Sequence, residues 1–165
     1  MKARTLLALA AVAVMVSGSL YAAEKAKAKK LNLKGIKCVL NPKAKAKADK
    51  SVKYKGGKVF FCCGNCPKAF AKNTKKHATS ANTQLIATHQ AKQAKCPLSG
   101  GKLNKKSFLV INKAKVYFCC FNCRKAVNKL KGKAQAEKVF SDKAFAKAKF
   151  TVGKKKKAKK AKKAA

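Results

Sequence analysis

The sequence predicts a small α+β protein of two tandem units, each a β-hairpin followed by a short helix, carried between disordered Lys/Ala-rich ends. Two observations lead to that prediction. Cysteines at 38, 62, 63 and 66 recur at 96, 119, 120 and 123, a shift of 57 or 58 residues. The flanks agree as well. Val59-Phe60-Phe61-Cys62-Cys63-Gly64-Asn65-Cys66-Pro67-Lys68-Ala69 aligns with Val116-Tyr117-Phe118-Cys119-Cys120-Phe121-Asn122-Cys123-Arg124-Lys125-Ala126. Cys38-Val39-Leu40-Asn41-Pro42 aligns with Cys96-Pro97-Leu98-Ser99-Gly100. Agreement of that length within one chain is an internal duplication.

At the N-terminus, Lys2 and Arg4 precede an apolar run of twelve residues at 5–16. Ser17, Gly18, Ser19, Ala22 and Ala23 follow, and then the charge density rises. Positive, apolar and small in that order reads as a secretory signal peptide, and the run is too short to span a bilayer. Residues 1–22 are expected to direct export, to a periplasm or the exterior, and to be removed. Residues 23–35 read as a basic linker.

The first unit and its connecting segment occupy 36–93. Residues 51–54 and 58–61 flank Gly56-Gly57, a hairpin signal. The Lys/Ala run at 43–50 reads as a solvated loop, because like charges at that density disfavour a helix. Asn65 is placed to cap a helix and Pro67 suits its first turn. The helix continues over 68–73 with Phe70 inward. The second unit, 94–150, repeats the plan. Residues 108–111 and 116–118 flank 112–115, Asn122 takes the capping place, and 124–131 form a helix with Val127 and Leu130 inward. Segments 77–95 and 133–150 follow the units and read as helices, anchored by Leu85-Ile86 and Val139-Phe140. Residues 151–165 read as a disordered Lys/Ala-rich tail.

Composition bounds the rest. The chain carries 43 Lys and Arg against four Asp and Glu, a formal net charge of +39, and loss of Lys2 and Arg4 with the leader takes two from it. Self-repulsion at that density opposes compaction and favours polyanions as partners. Leu, Ile, Val and Phe number 28 within residues 24–165, a share at which burial alone barely folds a chain. So small a core needs staples, and the cysteines are the only candidates. With four acids and two scattered histidines, general acid–base chemistry is hard to assemble, and the chain is not expected to be an enzyme.

In each unit a hairpin-length gap returns the chain beside its first cysteine. Cys62 and Cys119 end a strand while Cys66 and Cys123 begin a helix, so thiolates from different elements can meet. Three or four sulfurs about 2.3 Å from one point satisfy zinc, and soft thiolates also suit copper(I). The helix N-terminus and the lysines favour the thiolate form, while the same lysines repel an arriving cation. Cys38, Cys62, Cys63, Cys66, Cys96, Cys119, Cys120 and Cys123 are all candidate ligands.

Oxidation is the rival reading: export meets an oxidising space, and eight cysteines allow two structural bridges per unit. Cys63-Gly64-Asn65-Cys66 and Cys120-Phe121-Asn122-Cys123 also have redox dithiol spacing, though no βαβ pattern surrounds them. The spacing ranks metal first, disulfides second and redox work third, and all three stay open here. His77 and His89 lie outside the clusters. They read as partly exposed side chains of the connecting segment, although either is available to complete the first site; the second unit has no matching histidine.

Cys38-x23-Cys62-x3-Cys66 and Cys96-x22-Cys119-x3-Cys123, with Phe60-Phe61-Cys62-Cys63 or Tyr117-Phe118-Cys119-Cys120 inside them, resemble TRASH domains and the related YHS domains. The run at 52–59 matches the family style too. The resemblance covers 36–75 and 94–132, about half the chain. It implies treble-clef-like, metal-associated modules tied to trafficking, resistance and sensing of heavy metals. It further implies ligand sets of Cys38, Cys62 and Cys66, and of Cys96, Cys119 and Cys123. Cys63 and Cys120 are then extra neighbours that complete or tune each site.

Lysine supplies a second functional reading. Lys154, Lys155, Lys156, Lys157, Lys159, Lys160, Lys162 and Lys163 form a tail like those of linker histones. Such a tail binds an anionic polymer or membrane surface through counterion release, without reading sequence. On that reading the cysteines are structural disulfides of an envelope or secreted protein. Phe60-Phe61 and Tyr117-Phe118 read as core beneath the hairpins in preference to stacking platforms for bases.

Overall fold

A computed structural model describes residues 31–153 of the chain. The signal-peptide reading of 1–22, most of the basic linker and the tail lysines at 154–163 lie outside the described residues. In chain order the elements are β1 (Lys47–Tyr54), β2 (Gly57–Phe61), α1 (Asn65–Lys72), α2 (Ala78–Ala87), β3 (Ala91–Lys92) and β4 (Asn104–Ile111), then β5 (Ala114–Phe118), α3 (Phe121–Asn128), α4 (Gly132–Phe140), α5 (Asp142–Lys147) and β6 (Thr151–Val152). The strands form three antiparallel pairs, β1 with β2, β4 with β5 and β3 with β6. Mixed α+β architecture is what the sequence predicts. Among the described residues no helix is long and apolar enough to cross a membrane.

The duplication holds at the level of register. Ser51 faces Phe60 and Phe108 faces Tyr117, and both ladders break at the same place, between Lys47 and Ser51 and between Asn104 and Phe108. Both hairpins turn on two residues with positive φ: Lys55 (48°) and Gly56 (84°), then Asn112 (48°) and Lys113 (65°). Two such residues make a tight turn whose twist matches its strands. The first turn therefore sits one residue earlier than Gly56-Gly57 suggests, and the second is shorter than 112–115. Gly57 opens β2 instead, for a packing reason. A Cβ there would lie 2.7 Å from Leu85 Cδ2 and 2.9 Å from Val152 Cγ1.

Two further expectations need correction. The stretch 43–50 is not all loop, since β1 begins at Lys47. Pairing of Lys47 with Phe61 fixes the backbone while most of the first four side chains stay in solvent, so tertiary context overrides a Lys/Ala composition. Asn65 and Asn122 do not cap: α1 starts at Asn65 itself and α3 at Phe121, and neither helix has a side-chain cap. The segments 77–95 and 133–150 are helical over α2, α4 and α5, with Leu85, Ile86, Val139 and Phe140 buried.

The two hairpin–helix units share α2. Its Ala81 and Leu85 pack with Val39, Val59, Phe61 and Phe70 of the first unit. Its Ile86 and Ala87 join Val116, Phe118, Val127, Val139 and Phe140 of the second. Ile36, just before the first cysteine, also lies in that second cluster. A helix buried on nearly every side must satisfy its polar side chains internally. Gln84 does so by acting as a piece of strand. Its Oε1 accepts from Phe60 N–H (2.6 Å), and its Nε2 donates to the carbonyls of Phe60 (3.0 Å) and Lys37 (2.8 Å). Gln90 does the same for Lys58 (2.7 and 2.6 Å) and Gln93 for Tyr117 (2.9 and 2.7 Å). Three glutamines thereby close the outer edges of β2 and β5, which would otherwise offer unpaired backbone.

Asn82 links the first hairpin to the last helices. Its Nδ2 donates to Phe140 O and Asp142 Oδ1, and its Oδ1 accepts from Lys55 Nζ (3.1 Å), which also pairs with Asp142 at 2.6 Å. Burial acts to raise the Asp142 carboxyl, and the hydrogen bonds from Lys55 and Asn82 outweigh it, so its pKa is lowered. A lowered carboxylate contributes stability that is complete above the usual value of 3.8 and is lost as pH falls through the folded value. Thermal melts should therefore fall in midpoint below about pH 4, with a shallower fall in Asp142→Asn; equal pH slopes would show that the pair contributes nothing.

Candidate metal centre

Each first cysteine sits in a small loop closed by backbone hydrogen bonds. Cys38 N–H donates to Ala44 O (2.9 Å), and Cys96 N–H to Gly101 O (3.0 Å). A single bridge then joins Lys37 to Lys45 and Lys95 to Lys102, which fixes both loops beside their hairpins. The ascending strand delivers the second sulfur just past its end, at Cys62 and Cys119. The helix that follows delivers the third in its first turn, at Cys66 and Cys123. Three elements thus converge twice.

The result is two sulfur triads. Cys38, Cys62 and Cys66 lie within 4.8 Å of one another, as do Cys96, Cys119 and Cys123. Cys62 and Cys66 sulfurs are 3.7 Å apart, and those of Cys119 and Cys123 are 3.6 Å apart. Sulfurs about 2.3 Å from a tetrahedral ion stand about 3.8 Å from each other, so these separations fit such an ion. All eight cysteines are unpaired, with Cys38 and Cys96 buried and the other triad members half-buried. His77 and His89 belong to neither triad; His77 lies against Phe70 instead, with ring centroids 6.5 Å apart.

Donors around the buried sulfurs favour their anions. Burial acts to raise Cys38, and the N–H groups of Asn41, Cys62 and Leu40 outweigh it and lower the pKa. Burial likewise opposes ionisation of Cys96, yet the Ser99 hydroxyl and the N–H groups of Ser99, Cys119 and Leu98 bring it down to about 7. The third sulfurs go the other way. Burial, then hydrogen bonding from the neighbouring thiols, pushes Cys66 up and Cys123 up to about 12. Three thiolates cannot crowd together without a cation, and a cation reverses that penalty. The sites differ in one polar group: the Ser99 hydroxyl stands 3.1 Å from Cys119 Sγ, where the first unit has Asn41.

Cys63 and Cys120 stand beside the triads, with sulfurs 3.4 Å from Cys66 and 3.7 Å from Cys119 respectively. The N–H of Cys66, its thiol and the N–H of Asn65 bring Cys63 down to about 7. The N–H of Cys123 leads the groups that lower Cys120, with Asn122 N–H among them. The open N–H groups of both helix starts thus favour the anion of the adjacent sulfur, although neither helix has a side-chain cap.

No family model, curated protein or solved structure matches this chain.

Proposed function

We propose that this chain is an exported protein that holds a soft or borderline metal ion, zinc or copper(I), in two three-thiolate sites. One observation carries the reading: equivalent residues of two duplicated units bring three sulfurs together twice, from a loop, a strand end and a helix start. A core this small gains most from a staple that joins such distant points. Zinc and copper(I) are preferred because every donor is sulfur and no carboxylate or imidazole stands in either triad. The reading includes a TRASH/YHS-like, treble-clef-like character for each unit and a role in binding or buffering metal without catalysis. The signal-like residues 1–22 support export.

Cobalt(II) titration of the reduced chain tests it. Intense thiolate-to-cobalt absorption should saturate at two ions per chain and be displaced by zinc. Because bound thiols must lose their protons, apparent affinity should fall steeply as pH drops from about 8 to about 6. A chain that binds cobalt without sulfur charge-transfer bands, or whose affinity ignores pH, contradicts the proposal.

A further inference from the structure

Duplication gives the second hairpin an internal control. Among the described residues the exposed large apolar side chains are Phe108 (39% exposed), Val110 (62%) and Phe121 (47%). The equivalent places in the first unit hold Ser51, Lys53 and Gly64. The same fold thus does without apolar side chains there, and their presence in the second unit is not required by the hairpin. Phe108 and Val110 lie two apart on β4, on one face, opposite Tyr117 and Lys115 of β5. Beside them opens a cleft of about 500 Å³ whose lining includes Lys92, Lys105, Lys115 and Tyr117.

Charge and ring geometry select the occupant. A second copy would bring another chain of formal charge +39 against the first, so self-association is repelled. Stacked nucleic acid bases need open ring faces. Here Lys115 Nζ stands 4.1 Å from the Phe108 centroid and 5.3 Å from that of Tyr117, and the Arg124 guanidinium lies 4.8 Å from Phe121. One face of each ring is covered by a cation, and the most exposed of the apolar side chains, Val110, carries no ring to stack on. Exposed apolar side chains with a lysine ammonium held against them match the boundary of an anionic bilayer. There the apolar groups enter and the lysine stems reach back to phosphate.

We propose that the outer face of the β4–β5 hairpin is a docking surface for an anionic lipid bilayer, with Phe108 and Val110 entering the headgroup boundary and Lys115 held at the phosphates. It stands apart from the thiolate reading, since neither residue touches a triad.

The test is binding of the full chain to phosphatidylglycerol–phosphatidylcholine vesicles. Val110→Lys and Phe108→Ser place the first unit's residues on this face, and their melts should match the parent. Val110→Lys adds positive charge, yet it should weaken vesicle binding about tenfold, as should Phe108→Ser. The chain has no tryptophan, so Phe108→Trp introduces a single indole. Its emission should shift to the blue on these vesicles and be quenched by brominated acyl chains. Tighter or unchanged binding of Val110→Lys would reduce the attraction to net charge and overturn the proposal. An indole that responds to a single-stranded oligonucleotide and ignores vesicles would assign the face to nucleic acid, and would overturn it equally.

Discussion

Serine at both Cys66 and Cys123 is expected to abolish metal binding and remove most of the thermal stability that metal confers. Each residue is the third sulfur of a triad and is fed from the first turn of α1 or α3. Without it two thiolates remain in each site, fewer than the three protein ligands that even an open zinc site keeps. Structural zinc sites contribute about 10 kcal/mol or more of apparent binding free energy, so loss of two should lower the melting midpoint by tens of degrees. The control is Cys63→Ser with Cys120→Ser. Those sulfurs stand outside the triads, so that pair should keep two ions and most of the parent's metal-dependent stability. Melts in strong chelator separate a metal effect from a packing effect. There the parent and the Cys66/Cys123 pair should converge. A pair that melts below the parent by the same margin with and without chelator would place the loss in packing alone.

Gln84→Ala should be the most damaging single substitution of a polar side chain away from sulfur. Gln84 is 4% exposed and satisfies three backbone groups of Phe60 and Lys37. Truncation leaves the buried N–H and carbonyl of Phe60 without partners and removes one from the part-buried Lys37 carbonyl. Unsatisfied buried groups cost about 1–3 kcal/mol each, partly relieved by relaxation, so the total should be about 3 kcal/mol. Gln90→Ala supplies the comparison, because it makes the equivalent pair of bonds to Lys58 at the surface. Water replaces its amide, and its cost should stay near about 0.5–1 kcal/mol. Urea unfolding of both variants measures the difference. Equal losses would mean that neither edge is shielded and that strand closure by glutamine is not what stabilises β2.

The hairpins and the sulfur sites were legible because their signals are local or repeated. Alternating apolar residues beside turn signals define β2 and β5, and the duplication identified which cysteines belong together before any geometry was known. The glutamines were not legible. Gln84 reaches Phe60 across 24 residues and Gln90 reaches Lys58 across 32, and no periodicity marks a side chain that imitates backbone. The position of α2 was hidden for a related reason: Asn82, Thr83 and Gln84 read as polar, yet all three are buried. The asparagine caps were expected from residue preference alone, and only the path of the chain shows that Asn65 and Asn122 already lie inside their helices. Lys47 was read as loop since composition weighs side chains and ignores the partner strand that orders them.

The decisive experiment is elemental analysis combined with thiol counting, on mature chain recovered from its native compartment without added oxidant or reductant. The expectation is two equivalents of zinc or copper per chain, one for each triad, and eight titratable thiols once the metal is removed under denaturing conditions. Four disulfides with no bound metal, in a chain whose fold withstands chelation, would contradict it.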